Sequence, residues 1–161
     1  MKRAAADAKK QGLTARFYVG DNILIEEANG SISGVGGYIL GNTILVRADH
    51  EVYTSDQIAR HEAGHDMIAK GQVNVKAVKK KLVEVVGKEN VEVATEYYAE
   101  AYDGSGLTTD EIWEELICDS LGDMNIFAGD KVISEFMSPM IKELRLLPER
   151  DQGAYTDEGI A

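Results

Sequence analysis

The sequence predicts an α+β fold in which a small N-terminal sheet, mixed or antiparallel, is followed by a helical part. Strand-like runs punctuated by glycine occupy the chain up to about Asp49, and beyond it apolar side chains recur with the period of a helix. A length of 161 residues, of which 44% are apolar, is enough for one domain with its own core. No repeat or low-complexity linker divides the chain, so we expect a single domain.

Three segments are expected along the chain. Residues 1–15 form a charged N-terminal segment, in which residues 4–11 predict a short helix or the remnant of a longer chain. Residues 16–147 form the single domain. Residues 148–161 are expected to be a flexible tail, because they follow a proline and carry no helical or strand pattern.

The sheet is expected to come from two stretches. Residues 16–26 predict one or two strands, and residues 30–49 predict a glycine-punctuated hairpin that ends in the strand Thr43–Arg47. The glycines of this hairpin neither open a helix nor precede a Lys-Ser/Thr pair. We therefore expect them in turns or bulges rather than in a phosphate-binding loop.

Five helices are expected after the sheet. Two begin at capping boxes, Thr54-x-x-Gln57 and Thr108-x-x-Glu111, in which two side chains satisfy the free N–H groups of the first turn. The last helix contains Pro139, which has no N–H to donate, so it is expected to bend or restart there. The expected spans are 54–70, 75–86, 91–102, 108–127 and a helix from about residue 130.

Composition excludes several classes of function. With 17 basic and 28 acidic side chains the formal charge is −11, and this charge repels phosphate backbones, so we expect no nucleic-acid binding. The lysine run 79–81 is most simply a solvated helix face. We also expect no membrane association, because no apolar run approaches the ~20 residues that span a bilayer. A lone Cys118 and the lack of a signal-peptide pattern predict a cytoplasmic protein.

The residues that carry chemistry are His61-Glu62-Ala63-Gly64-His65. Within a helix, His61 and His65 are four residues apart and project from one face, close enough to bind one zinc ion. Glu62 lies on a neighbouring part of that face, where its carboxylate can serve as the general base for metal-activated water without binding the metal. The pattern therefore predicts a zinc site with Glu62 as the catalytic base.

A structural alternative is that both histidines are core residues satisfied by hydrogen bonds. They share their helical arc with apolar residues such as Ile58 and Ile68, so neutral imidazoles could sit there beside acceptors. This alternative does not explain Glu62 on the same inward side. Three titratable groups on a buried face are costly unless a metal or a polar network compensates them.

A hydrolytic zinc site needs a third protein ligand and one open position. We expect that ligand to be Glu115, at the border of the apolar arc of the fourth helix, with Asp119 one turn later accepting the second N–H of His61. Glu96 and Glu100 lie on the polar side of the third helix. We expect them, and Glu114, to have no part in metal binding.

His-Glu-Ala-Gly-His followed on a later helix by Glu115-Leu-Ile-Cys-Asp119 resembles the gluzincin metallopeptidases, whose third zinc ligand is a Glu with an Asp one turn downstream. The resemblance covers residues 42–123 and extends to minimal gluzincins and peptidase domains of phages and mobile elements. It implies a zincin-like fold in which Thr43–Arg47 is the edge strand that holds an extended substrate. The metzincin pattern is excluded, because no Gly-x-x-His follows His65.

The resemblance implies a zinc metalloendopeptidase whose partner is a peptide or protein substrate. A Tyr or His often stabilises the tetrahedral oxyanion in that family, and the candidates here are Tyr97, Tyr98, Tyr102 and His50, of which we select Tyr98. Cys118 is a poor nucleophile, since neither a predicted His nor a helix N-terminus lies beside it.

A competing function is a non-catalytic, metal-stabilised module that binds a protein partner, such as a segment of a phage particle. Glu62 argues against it, because a structural site needs no base and normally closes its fourth position with a protein ligand. A narrower alternative is a peptidase that cleaves one dedicated protein. The sequence does not distinguish a dedicated target from general peptides.

Overall fold

The computed structural model describes residues 2–26, 30 and 32–146 and has the α+β fold that the sequence predicts. The loose tail expected after Pro148 lies outside these residues. In chain order the elements are α1 (Lys2–Lys10), β1 (Thr14–Tyr18), β2 (Ile23–Glu26), β3 (Ile32–Val35), β4 (Gly37–Leu40), β5 (Thr43–Arg47), α2 (Ser55–Ala69), α3 (Val75–Val86), α4 (Lys88–Ala101), α5 (Thr109–Leu121) and α6 (Lys131–Arg145).

The main sheet is mixed and has the strand order β1-β5-β4. β1 runs parallel to β5, with Thr14 opposite Thr43, and β4 runs antiparallel to it, with Gly37 opposite Val46. The prediction that β5 is an edge strand is therefore wrong. β1 pairs with the side of β5 that faces away from β4. β5 is therefore the central strand of this sheet, and β1 and β4 are its edges among the described strands.

Between β1 and β4 the chain forms a separate antiparallel hairpin. β2 pairs with β3 so that Ile23 lies opposite Val35 and Glu26 lies opposite Ile32. Because Gly36 is the single residue between β3 and β4, this hairpin leads directly into the edge of the main sheet.

The helix predictions hold best where the start and stop signals are local. α2 begins at the predicted capping box, and α3 has the predicted bounds. α5 ends at Leu121 rather than near Phe127. The chain turns there because Asp123 has a left-handed φ of 57° and the N–H of Met124 bonds back to the carbonyl of Asp119, 2.8 Å away. α6 continues across Pro139 without a break, so the alternative of a restart is wrong.

Two groups of buried apolar side chains hold the domain together. The first, here called the sheet core, lies between α1, the main sheet and the start of α2 and consists of Ala8, Leu13, Ile44, Val46, Ile58, Ala59 and Met124. The second, here called the helical core, joins the end of α2 to α3–α6 and includes Met67, Leu82, Tyr98, Trp113, Leu116, Met137 and Leu144. α2 therefore contributes side chains to both cores.

The N-terminal segment forms a helix, α1, that packs on the rest of the domain. Ala8 is 3% exposed, and the Gln11 side-chain amide donates to the carbonyl of Ala63 at 2.8 Å and to Asp66 Oδ2 at 3.1 Å. These bonds attach the segment to α2. Within the described residues, no helix combines the length and the apolar character that crossing a membrane requires.

Candidate metal centre

α2 presents His61 and His65 toward α5. The helix starts at Thr54, whose hydroxyl accepts from the N–H of Gln57 at 3.2 Å while the Gln57 side chain accepts from the N–H of Thr54 at 2.9 Å. This start fixes the phase of the helix. Four residues then place the two imidazoles one turn apart, with ring centroids separated by 4.9 Å.

The Nε2 atoms of the two imidazoles converge with one carboxylate of α5. They lie 3.2 Å apart, and Glu115 Oε2 is 3.4 Å from Nε2 of His61 while Oε1 is 3.2 Å from Nε2 of His65. A tetrahedral zinc ion with bonds of about 2.0–2.2 Å separates its ligand atoms by about 3.3–3.6 Å. These three side chains therefore form a cluster that could hold one metal ion, with spacings close to those of a tetrahedral zinc site.

The outer nitrogen of each imidazole faces a carboxylate. Nδ1 of His61 lies 2.8 Å from Asp119 Oδ1, although its N–H is not well aligned with that oxygen. Nδ1 of His65 lies 2.6 Å from Glu114 Oε2. Carboxylates in these positions favour the tautomers in which both Nε2 lone pairs point at the shared centre. The two Nε2 lone pairs and the Glu115 carboxylate then converge on that centre. A cation or added protons must balance these three acceptors.

Glu114 was expected to have no part in metal binding, but the structure places its carboxylate 2.6 Å from Nδ1 of His65. It is partly exposed, with 32% of its side chain accessible, and it bonds to His65 as Asp119 contacts His61. A usable signal existed. Each metal-binding imidazole needs an acceptor for its second N–H. Asp119 was the expected acceptor for His61, and His65 still needed one.

Electrostatics around the centre favours positive charge. Burial lowers the pKa of His61, but its bonds to Asp119 and Glu115 outweigh burial and raise that pKa to about 10. His65 also has a raised pKa, because contacts with Cys118, Glu114 and Glu115 outweigh burial. Glu115 has a lowered pKa, since its bonds to the two histidines exceed the effect of burial. The surrounding carboxylates thus favour positive charge, whether protons or a cation, at this centre.

Glu62 lies beside this centre but is not one of the converging ligands. It is 8% exposed, and a Cβ placed on Gly37 would lie 3.2 Å from its Oε1. Burial raises the pKa of Glu62, and the neighbouring histidines oppose this shift. The missing side chain of Gly37 therefore lets the Glu62 carboxylate pack against the start of β4.

Two glycines allow α5 to approach α2 closely enough for Glu115 to reach both histidines. A Cβ on Gly64 would lie 3.0 Å from Cys118 Sγ and 3.3 Å from Cys118 Cα. At the end of α5, a Cβ on Gly122 would lie 2.6 Å from the carbonyl oxygen of Gln57. Both positions are tighter than an ordinary Cβ contact: a side chain at Gly122 requires the backbone to shift, and one at Gly64 requires its neighbours to move by a few tenths of an ångström.

The side chain of Tyr98, the selected oxyanion candidate, lies in the helical core. Its side chain is 2% exposed, and its hydroxyl donates to Asp119 Oδ2 at 3.3 Å. The hydroxyl is thus buried and bonded to Asp119, which argues against its predicted contact with substrate. Tyr97 packs its ring against Phe127 and Phe136.

Tyr102 and His50 are the remaining oxyanion candidates. Tyr102 is partly buried and its ring stacks on that of Tyr98 with centroids 6.2 Å apart, and burial together with the charges of Asp119 and Glu115 raises its pKa. His50 Nδ1 accepts from the N–H groups of Val52 and Tyr53 at 3.1 and 3.2 Å. Its other nitrogen is then the one that carries the proton in the neutral ring.

Of the rejected candidates, Glu96 and Glu100 lie as expected, whereas Cys118 lies beside His65, a neighbour that the sequence does not predict for it. Glu96 and Glu100 are exposed on α4. Cys118 is fully buried between α5 and α2, and burial raises the pKa of its thiol to about 12. A buried neutral thiol is a poor nucleophile.

Comparison of the chain with protein-family models, curated proteins and solved structures found no match. Any function therefore has to be inferred from the residues of the site.

Proposed function

We propose that this protein is a zinc-dependent metallopeptidase of the gluzincin type with a zincin-like fold. The observation that carries the proposal is the convergence of His61, His65 and Glu115 at spacings of 3.2–3.4 Å. Two imidazoles and one carboxylate are a ligand set typical of catalytic zinc, which keeps its fourth position open. When bound, zinc supplies a Lewis acid and a more acidic water at neutral pH.

Glu62 is the proton carrier in this proposal. Its carboxylate accepts a proton from the water that attacks the peptide carbonyl carbon, and a C–O bond forms. It then returns the proton to the amine nitrogen as the C–N bond breaks. Its burial beside Gly37 supports this role, since it fixes the carboxylate and shields it from bulk water.

β4 is the strand that we propose for substrate binding. Among the described strands it pairs with β5 only, and its first residue, Gly37, packs against Glu62. An extended peptide can add to such a free edge through main-chain hydrogen bonds. This replaces β5, which has strands on both sides.

We assign stabilisation of the oxyanion to Tyr102. The hydroxyl of Tyr98 donates to Asp119, whereas Tyr102 lies one turn further along the chain, stacks on the Tyr98 ring and is only partly buried. A phenol with a raised pKa stays protonated at neutral pH, and it can therefore donate to the negative oxygen.

The experiment that tests the proposal measures zinc content and peptide hydrolysis in the same samples. The purified full chain is stripped with a chelator, reloaded with zinc, and incubated with a mixed peptide library whose products are identified by mass spectrometry. We expect about one zinc per chain, cleavage in the zinc-loaded sample, and none after stripping. Zinc binding without cleavage of any peptide or of casein would favour the non-catalytic module, and lack of zinc binding would overturn both.

A further inference from the structure

Tyr98 connects α4 to the metal centre through a single carboxylate. Its ring is packed in the helical core, with a centroid 5.4 Å from that of Phe127 and 6.2 Å from that of Tyr102. Its hydroxyl donates to Asp119 Oδ2 at 3.3 Å. A phenylalanine would keep the packing and lose only this contact.

Asp119 is shared between two groups. Oδ2 accepts from Tyr98, while Oδ1 lies 2.8 Å from Nδ1 of His61. The carboxylate is 3% exposed, so bulk water does not replace either partner. A rotation of the carboxylate about its Cβ–Cγ bond moves both oxygens together. Whatever holds Oδ2 therefore also fixes the direction of Oδ1.

We propose that Tyr98 is a positioning residue that fixes the Asp119 carboxylate and, through it, the orientation of the His61 ring for metal binding. The inference rests on the proposed zinc site, but not on peptide hydrolysis. This role replaces the direct contact with substrate that the sequence suggested for Tyr98. The side chain is 2% exposed and its hydroxyl is bonded to Asp119, so the hydroxyl is not presented to a peptide.

The protonation of Tyr98 supports this role. Burial and the charge of Asp119 both raise the pKa of its phenol, so the hydroxyl remains a donor at neutral and mildly alkaline pH. The phenol can therefore donate to Asp119 Oδ2, which lies 3.3 Å from its oxygen.

The test compares Tyr98→Phe with Tyr97→Phe in the full chain. Tyr97 is the adjacent residue of α4, and its ring packs on Phe127 and Phe136 rather than against Asp119. Apparent zinc affinity is measured by competition with a chelator, and the Tm of the metal-free protein is measured alongside. We expect Tyr98→Phe to weaken zinc binding by about 10-fold, at the low end of what partners of metal ligands contribute, and Tyr97→Phe to leave it unchanged.

A double-mutant cycle separates positioning from a general loss of structure. In the Asp119→Ala background the Tyr98 hydroxyl has no carboxylate to fix, so Tyr98→Phe should cause no further loss of zinc affinity. Wild-type affinity in Tyr98→Phe, or an equal loss in both backgrounds, would overturn the inference. A wild-type chain that binds no zinc would overturn it together with the proposed function, whereas zinc binding without hydrolysis would leave the inference standing.

Discussion

Glu62 is buried and Glu115 partly buried, and the two carboxylates lie near the same imidazoles in different positions. Glu115 extends between the Nε2 atoms of His61 and His65, at 3.4 and 3.2 Å. Glu62 turns toward β4 and packs at Gly37. At the scale of the residue, the assignment of ligand and base follows from this difference in direction.

The variant Glu62→Gln tests the role of the base. Glutamine has nearly the same shape but cannot accept the water proton, so we expect the rate of peptide hydrolysis to fall by about 10²–10⁴-fold while zinc stays bound. The exposed Glu96→Gln is the matched control and should retain wild-type activity. A Glu62→Gln protein that loses its zinc would make Glu62 a ligand instead.

Alanine variants of four acidic residues test the ligand assignment by zinc titration against a competing chelator. Glu115→Ala should bind zinc most weakly. Asp119→Ala and Glu114→Ala should each lose about 10–100-fold, because each removes the acceptor that orients one histidine. Glu96→Ala should match the wild type. Sequence alone placed Glu114→Ala near wild type, and its 2.6 Å contact with His65 corrects that order.

What the sequence predicts at this scale depends on helical phase. His61 and His65 follow from the four-residue spacing, and Glu115 and Asp119 from the border and interior of one apolar arc. Helical phase does not place Glu114, because its contact depends on how α2 and α5 cross; the need of His65 for a second acceptor is the one signal that points to such a residue.

At the scale of the element, the centre depends on how closely α2 and α5 pack. Gly122→Ala places a methyl group against the carbonyl of Gln57, and Gly64→Ala places one against Cys118. We expect each to lower the free energy of unfolding by about 1–3 kcal/mol and to weaken zinc binding, because the helices must separate. Denaturant unfolding and chelator competition measure the two effects.

Gly129→Ala is the control for these glycine variants. It lies in the loop before α6, and no atom lies within 4 Å of where its Cβ would stand. Its stability and zinc affinity should remain near wild type. Unchanged zinc affinity in Gly122→Ala would show that the glycine contacts do not position Glu115.

Element bounds were predictable where the signal lies within a few residues. The capping boxes at Thr54 and Thr108 gave correct helix starts. The end of α5 was missed because the apolar pattern continues past it, while the left-handed Asp123 turns the chain. The position of β5 was missed because β1, from a distant part of the chain, pairs beside it.

At the scale of the whole molecule, zinc should stabilise the fold, because the ligands are brought together only by folding. Free zinc at about 100 times its dissociation constant adds about 2.7 kcal/mol, or an increase in Tm of about 5–10 °C for a chain of this size. Differential scanning fluorimetry with and without zinc measures the shift. Glu115→Ala should remove most of it, and Glu96→Ala should not.

The increase in Tm that zinc causes should depend on pH, and the direction of this dependence follows from the pKa of His61. The folded-state pKa of His61, about 10, lies above its ordinary value of 6.5. The stabilisation from its proton is therefore complete below about pH 6.5 and declines as the pH rises toward 10. Zinc displaces that proton, so its affinity rises with pH. The zinc-dependent increase in Tm should be larger at about pH 8 than at pH 6, and an increase that falls with pH would contradict this account.

The sharing of α2 between the sheet core and the helical core has a consequence for motion. Ile58 packs in the first core and Met67 in the second, so the two halves of the domain can open as separate cooperative units. In the metal-free protein we expect amide hydrogen exchange to show two groups of protons with different opening free energies, one from the sheet and one from α3–α6. Zinc would bind side chains of both α2 and α5, so it should make the opening free energies of the two groups more similar.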